Sequence, residues 1–397
     1  MPTATDNSGT AVSGAGAMLQ LVRDGRANTR AELVDLTGLA RSTVSQRVDA
    51  LLARGLLMPA GSVTSTGGRP PTVLAFNAAA GVVLAADLGV TRCHAAVTDL
   101  AATSLAEVTY DIAVEDGPDL ILSELIERFG RLLAEAGVSR RDVHGAGIGL
   151  PAPVDFATGR PVDPPIMPGW HDAPVADRLR DALDTPVLVD NDANLMALGE
   201  HRLSWRSTAQ LLFVKAGTGI GSGIVANGAI YRGTEGAAGD LGHIRAPGAG
   251  QLLCACGNTG CLETVAGGQA LAAQLTATGI PAPSARDVAE RVRAGDRTAI
   301  SLVRQAGREI GDVLASIVNF FNPSVIVFGG DTADASDDLL AGVREVVYRR
   351  SLPLATRNLT ITHSAAGPRA GVVGAAVMAV EHVLDPAAVD GALSAPA

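Results

Sequence analysis

From residue 81 onward, two stretches of this 397-residue chain open in the same way, and that repetition limits the folds available to it. Short apolar segments at 81–90, 92–100 and 105–112 read as three strands joined by tight turns. A helix at 118–136, a strand at 144–150, a strand at 187–190 and a helix at 193–201 complete the first set. The second set begins with strands at 210–215, 221–225 and 229–232. Helices at 268–276, 285–294 and 297–321, a strand at 325–328, a helix at 336–348, a strand at 359–362 and a helix at 371–383 follow. Strands alternating with helices need crossover connections, which place the chain in the α/β class. Matching three-stranded openings predict a duplicated fold with a cleft between its halves.

Upstream the pattern is helical. A first helix is expected over 14–23, stopped at Asp24-Gly25. Thr29 with Glu32 three residues on forms a capping box, Leu33 and Leu36 supply an apolar face, and Gly38 turns the chain, with Leu39 packed into the angle. The next helix carries Val44, Val48, Leu51 and Leu52 inward. Its other face shows Arg41, Ser42, Thr43, Gln46 and Arg47, hydrogen-bonders suited to base edges and phosphates. The pattern is a helix-turn-helix; a plain helical hairpin with a solvated polar face is the alternative. The segment from Ser62 to Leu74 favours the first, because it reads as a two-stranded wing. Arg69, held between two glycines and two prolines, is placed there for a phosphate or a minor groove.

The expected organisation is a disordered lead-in at 1–14, a winged helix-turn-helix at 15–78, a two-lobed domain at 79–385 and an Ala/Pro/Gly/Ser-rich tail at 386–397. Residues 1–80 hold seven arginines against five acids, net +2, which leaves −12 for the remainder of a chain whose total is −10. Polyanion contact therefore belongs to the head. Apolar residues make up 47%, yet no uninterrupted run reaches the length of a membrane span, so no membrane contact is expected.

Three of the four cysteines fall in Cys254-Ala-Cys256-Gly-Asn-Thr-Gly-Cys261, with His243 a short way upstream. Four such ligands, spaced by Gly257 and Gly260, suit a tetrahedral Zn²⁺. Disulfides are the weaker reading, since the N-terminal residues do not resemble a secretory signal, and a reducing cytoplasm is expected. Cys93, alone on an apolar stretch, reads as core.

Two glycine-rich turns occupy matching positions in the halves. Asp87-Leu-Gly89-Val-Thr91-Arg92 ends the first strand, and Gly217-Thr218-Gly219-Ile-Gly221 joins two strands of the second set. Singly each is an ordinary hairpin or a phosphate loop; as a pair they point to a phosphate cleft, the first with Mg²⁺. Asn191-Asp192 lies at a strand-to-helix junction, where Asp192 is either an N-cap or a base toward a sugar hydroxyl. Asp240, His243 and Glu263 flank the cysteine loop and suit vicinal hydroxyls.

These residues resemble the ROK proteins, a family of repressors, open reading frames and sugar kinases. The resemblance rests on Gly147-Ile-Gly-Leu-Pro151-Ala-Pro-Val-Asp155, Val189-Asp-Asn-Asp-Ala-Asn194, 239–243 and 254–263. It implies an actin-like, ribonuclease-H-like duplicated fold after a winged helix. It also implies a base at Asp192, sugar contacts at Asn191, His243 and Glu263, and zinc ligands at His243, Cys254, Cys256 and Cys261. Three departures weaken the nucleotide side. Family kinases carry Asp-x-Gly-Gly-Thr-Lys where this chain has Val90 and Arg92, glutamate where it has Asp240, and small or apolar residues where Asp331 follows Gly329-Gly330. The expected protein is thus a sugar-responsive repressor, a homodimer or dimer of dimers. It would bind a palindromic double-stranded operator, take a sugar or sugar phosphate as effector and carry zinc, without kinase activity. The alternative is a hexose kinase using ATP and Mg²⁺; a third is a zinc-stabilised interaction protein.

Overall fold

The computed structural model describes residues 14–62 and 72–394. The lead-in, apart from Gly14, and Arg69 of the expected wing lie outside the described residues.

The head contains α1 (Ala15–Arg23), α2 (Arg30–Thr37) and α3 (Arg41–Ala53), then β1 (Leu57–Ser62) paired antiparallel with β2 (Thr72–Phe76). The capping box is present, with Glu32 N–H donating to Thr29 and Thr29 N–H to Glu32. Gly38 ends α2 in the left-handed region at φ 68°. Leu33, Val44, Val48 and Leu51 are fully buried. Leu36 is not: it stands 47% exposed, so the inner face of α2 depends on Leu33 and its helical neighbours.

The first lobe contains β3 (Val82–Leu88), β4 (Arg92–Asp99), β5 (Ser104–Asp111), α4 (Pro118–Ala136), β6 (Val143–Leu150) and the short pair β7 (Val154–Asp155) and β8 (Arg160–Pro161). It continues with α5 (Val175–Leu183), β9 (Val187–Asn191) and α6 (Asp192–Ser204). The second lobe contains β10 (Gln210–Ala216), β11 (Ile220–Ala226), β12 (Ala229–Ile230), α7 (Glu263–Ala266), α8 (Gly268–Ala277), α9 (Ala285–Arg293) and α10 (Arg297–Phe321). After it come β13 (Val325–Gly329), α11 (Asp338–Arg350), α12 (Pro353–Thr356), β14 (Thr360–His363), α13 (Ala370–Val383) and α14 (Pro386–Ser394).

The duplication is visible in the strand order. One five-stranded sheet runs β5-β4-β3-β6-β9, the other β12-β11-β10-β13-β14. In each, the first three strands pair antiparallel and the last two join parallel. Between the sheets, α13 packs on β3 and β6 while α6 packs on β10 and β11, and the two helices pack on each other. Their backbones meet at glycines: a Cβ on Gly199 would lie 2.0 Å from the Ala370 carbonyl oxygen, and one on Gly374 would lie 1.8 Å from that of Leu195.

The expected tail is a helix. Asp385 accepts from the Ala387 and Ala388 amides and so caps α14, with Pro386 in the first turn. Alanine-rich composition, read as linker, is also what a helix favours most. The helix docks on the head: Asp390 accepts from Gly16 N–H at 2.9 Å, and the Arg54 guanidinium donates to the Ala392 carbonyl at 2.9 Å. Just before it, Arg23 pairs with Glu381 at 2.8 Å. Head helices, α13 and Val389 therefore share one apolar cluster. No single helix among the described residues is long and apolar enough to cross a membrane.

Because Gly374 has a carbonyl where a methyl would go, Gly374→Ala is expected to cost about 1–3 kcal/mol. Urea unfolding against a surface Gly391→Ala control, where nothing lies within reach, would reveal it; equal costs would refute the packing argument.

Candidate functional site

The carboxyl ends of β3, β9 and β10, with the turns after them, open into a cavity of about 670 Å³ between the lobes. This is where an α/β sheet places its ligand. Asp87, Gly89, Thr91, Asn191, Asp192, Gly217, Thr218, Gly219, Asp240, His243 and Glu263 all line it. Every non-DNA residue expected from the sequence is there except Cys254, Cys256 and Cys261, which form the loop behind His243.

On the floor, Asn191 rather than Asp192 caps α6, its Oδ1 accepting from the Ala193 and Asn194 amides and its Nδ2 donating to the Ala152 carbonyl. That frees Asp192, the first helical residue, to face the cavity. Its buried carboxylate accepts from the Lys215 ammonium. Asp190, one residue before Asn191, is 2% exposed and accepts from Asn194 Nδ2 at 3.0 Å and Arg232 Nε at 2.8 Å. Arg232 stacks its guanidinium 3.8 Å from the Phe156 ring centre. Neither Lys215 nor Arg232 was expected from motif reading. Lys215 carried a signal all the same, because it is the one lysine in the sequence and stands just before Gly217-Thr-Gly.

The glycine turns differ in use. A Cβ on Gly219 would lie 2.3 Å from a Glu263 carboxylate oxygen, and that oxygen accepts from the Ile220 amide at 2.9 Å. Gly219 thus makes room for Glu263. Gly217 has only the Lys215 stem nearby, at 3.7 Å. In the first turn, Val90 packs on the core of its lobe while also lining the cavity. The Asp87 carboxylate fills the space beside Gly371 near the start of α13, where a Cβ would lie 2.0 Å from it.

Behind His243 the donor atoms of His243, Cys254, Cys256 and Cys261 all lie within 4.8 Å of one another. Cys254 Sγ is 3.6 Å from His243 Nδ1, and Cys256 Sγ is 3.7 Å from Cys261 Sγ. A tetrahedral zinc with sulfur at about 2.3 Å has ligand-to-ligand edges of roughly 3.8 Å, so the donor set fits such an ion. Gly257 at φ 89° and Gly260 at φ 82° make the loop's turns, as their spacing implied. With the thiols alone, burial pushes Cys261 up to about 12 and also raises Cys254, so a bound cation is what would favour their thiolates. With Nδ1 toward the sulfurs, Nε2 is the other ring nitrogen of this cavity-lining histidine.

On the head, Arg41, Ser42 and Gln46 are exposed and Thr43 is partly so. Arg47 is half-buried, and its buried Nη1 has no hydrogen-bond partner among the described residues. No side chain caps the start of α3, where Ala40 precedes Arg41.

Burial pushes the Asp87 carboxyl up to about 7; Asp192 adds to the rise and Lys215 opposes it. A carboxyl raised in the folded state holds an extra proton there, so its stabilising contribution is complete at acidic pH and lost as pH rises through about 7. Asp87→Asn should flatten that slope, gaining melting temperature over wild type at about pH 8 relative to about pH 5. Identical pH dependences in thermal melts would contradict this.

Comparison with known proteins matches the ROK family to residues 83–382. A putative xylose repressor from Caldicellulosiruptor sp. (strain Rt8B.4) is 30% identical, covering 92% of this chain and 95% of its own. The glucokinase of Halalkalibacterium halodurans is 33% identical but covers 66% of this chain and 83% of its own. Among solved structures, a ROK family transcriptional regulator homologous to the E. coli MLC protein superposes with a TM-score of 0.79 at 26% identity, covering 96% of this chain and 98% of that one.

Proposed function

This chain belongs to the ROK family, and we propose that within it the chain acts as a sugar-responsive transcriptional repressor. One observation carries the reading: the likeness to repressors runs through the head as well as the lobes, whereas the glucokinase likeness covers 66% of the chain. The head is built for DNA. The uncapped start of α3 leaves backbone N–H groups for a phosphate, and exposed Arg41, Ser42 and Gln46 come directly after it. Arg47, whose buried Nη1 has no hydrogen-bond partner among the described residues, and Thr43 lie on the same helix, and Arg69 is proposed as a further DNA contact. A homodimer or dimer of dimers on a palindromic operator completes the proposal, matching protein symmetry to DNA symmetry.

The cleft is proposed to take a sugar. Asp192, Asp240 and Glu263 offer acceptors, the second ring nitrogen of His243 and the remaining Asn191 N–H can address hydroxyls, and none of these needs nucleotide. Zn²⁺ held by His243, Cys254, Cys256 and Cys261 would fix the ring and its tautomer. The kinase alternative needs Asp192 as base toward a sugar hydroxyl, with ATP and Mg²⁺ at Asp87, Gly89, Thr91, Gly217, Thr218 and Gly219. The ion pair with Lys215, Val90 in the first turn and the Glu263 carboxylate beside Gly219 all weigh against it.

Elemental analysis should find about one zinc per chain, lost in Cys256→Ser, since closed four-ligand sites hold zinc in full occupancy. Zinc-free wild-type protein that is folded would end the metal assignment. With sequences selected from a random pool, Gln46→Ala should lose about 1–3 kcal/mol of discrimination, while Arg41→Ala should weaken all sequences and lower the salt slope by about 1. Fluorescence anisotropy reads both. Absence of any sequence preference, with or without xylose, glucose or N-acetylglucosamine, would sink the repressor reading.

A further inference from the structure

Lys215 is the only lysine in the chain; the rest of the 31 Lys and Arg residues are arginine. It stands at the end of β10, opposite Gly221 on β11 and Gly329 on β13, so no side chain on either flanking strand crowds it. Its ammonium hydrogen-bonds the buried Asp192 carboxylate, and Asp87 and Asp331 are near enough to act on its charge. An ammonium is a compact point charge with three tetrahedral donors, able to address carboxylates from several directions. A planar guanidinium presents its donors in one plane and needs more room. In a chain that otherwise uses arginine throughout, this position holds the one cation whose shape suits such a cage.

Carboxylates converging beside phosphate loops are how phosphoryl-transfer sites hold a divalent cation. We propose that Lys215 is the built-in cation of this cleft: its ammonium occupies, among Asp87, Asp192 and Asp331, the place a divalent metal would need. It thereby acts as a positioning residue, holding the Asp192 carboxylate oriented as an acceptor for a ligand hydroxyl. The cleft then serves an uncharged polyol without metal or nucleotide; only this ligand assignment rests on the sugar reading above.

The test is a Mn²⁺ titration of zinc-replete, full-length protein without sugar, read by electron paramagnetic resonance. Wild type is expected to leave Mn²⁺ free into the millimolar range. Lys215→Ala should bind one Mn²⁺ at least about ten-fold more tightly, and adding Asp192→Asn to that variant should remove the gain. Melting temperatures provide a second reading: Mn²⁺ should raise that of Lys215→Ala and leave wild type unchanged. Lys215→Thr carries the same expectations should the alanine variant not fold. Folded variants that gain no Mn²⁺, or wild type binding Mn²⁺ through Asp192 as tightly as they do, overturn the proposal. Because no saccharide is present, failure to find a sugar ligand leaves this result intact, and failure here leaves sugar binding to be judged separately.

Discussion

Two carboxylates on one short turn of chain must be buried where the lobes meet, and much of the molecule is arranged around that requirement. Asp190 and Asp192 are 2% and 4% exposed. A carboxylate taken out of water is costly unless a cation and hydrogen bonds replace its hydration. Both cations come from the second lobe, Arg232 from beyond β12 and Lys215 from β10. The lobes are thus joined at the cavity floor by charge as well as by the packing of α6 on β10 and β11. Removing either cation leaves its partner buried and uncompensated, a larger loss than the ion pair's own net contribution. The floor is therefore fixed before any ligand arrives, which favours recognition by positioned groups over recognition by rearrangement.

The cysteine loop stands behind the cavity's other wall, which His243 and Glu263 line. Cys261 and Glu263 are separated by one residue, so whatever fixes the thiol also fixes the start of α7. Glu263 in turn accepts from the Ile220 amide, and Gly219 leaves the space that its carboxylate occupies. His243 belongs to the same donor cluster and to the cavity lining. One group of donors thus adjoins two cavity residues separated by twenty in sequence. The segment between them has little helix or strand and is held by turns and two isolated bridges, Arg245 with Cys261 and Leu253 with Thr259.

Strands and helices of the lobes were legible because hydrophobic period and turn residues agree along most of their length: 118–136 and 297–321 coincide with α4 and α10. Short elements were not. α5 comes after a proline-rich approach, and α14 has the composition of a linker, although Asp385-Pro386 is a capping signal that could have revealed it. Leu36 satisfied helical spacing yet points outward, since period identifies a face but not whether a neighbour covers it. In the site, the metal and sugar candidates named from sequence lie in the cavity lining or in the donor cluster behind it. Lys215 and Arg232 were missed because their roles exist only across the gap between lobes, which linear spacing does not encode. The role of Gly219 was hidden for a related reason: the space beside it is taken by Glu263, forty-four residues away, and nothing local in the sequence indicates that.

The path from cavity to head runs through one helix. The Asp87 carboxylate sits against Gly371 at the start of α13, on the cavity side. The same helix packs on α6 through Gly374 and Gly199, shares an apolar cluster with Met18, Leu19 and Val48 of the head, and passes directly into α14. That helix meets α1 through Asp390 and the end of α3 through the Arg54 contact. Contacts this close, with backbone against backbone at the glycines, leave α13 little freedom to move without moving its neighbours. A ligand that changes the charge or position of groups around Asp87 therefore acts on an element whose far end holds the DNA-binding head. Linkage requires the influence to be mutual, so whatever DNA does to the head must be felt to the same degree at the cavity floor.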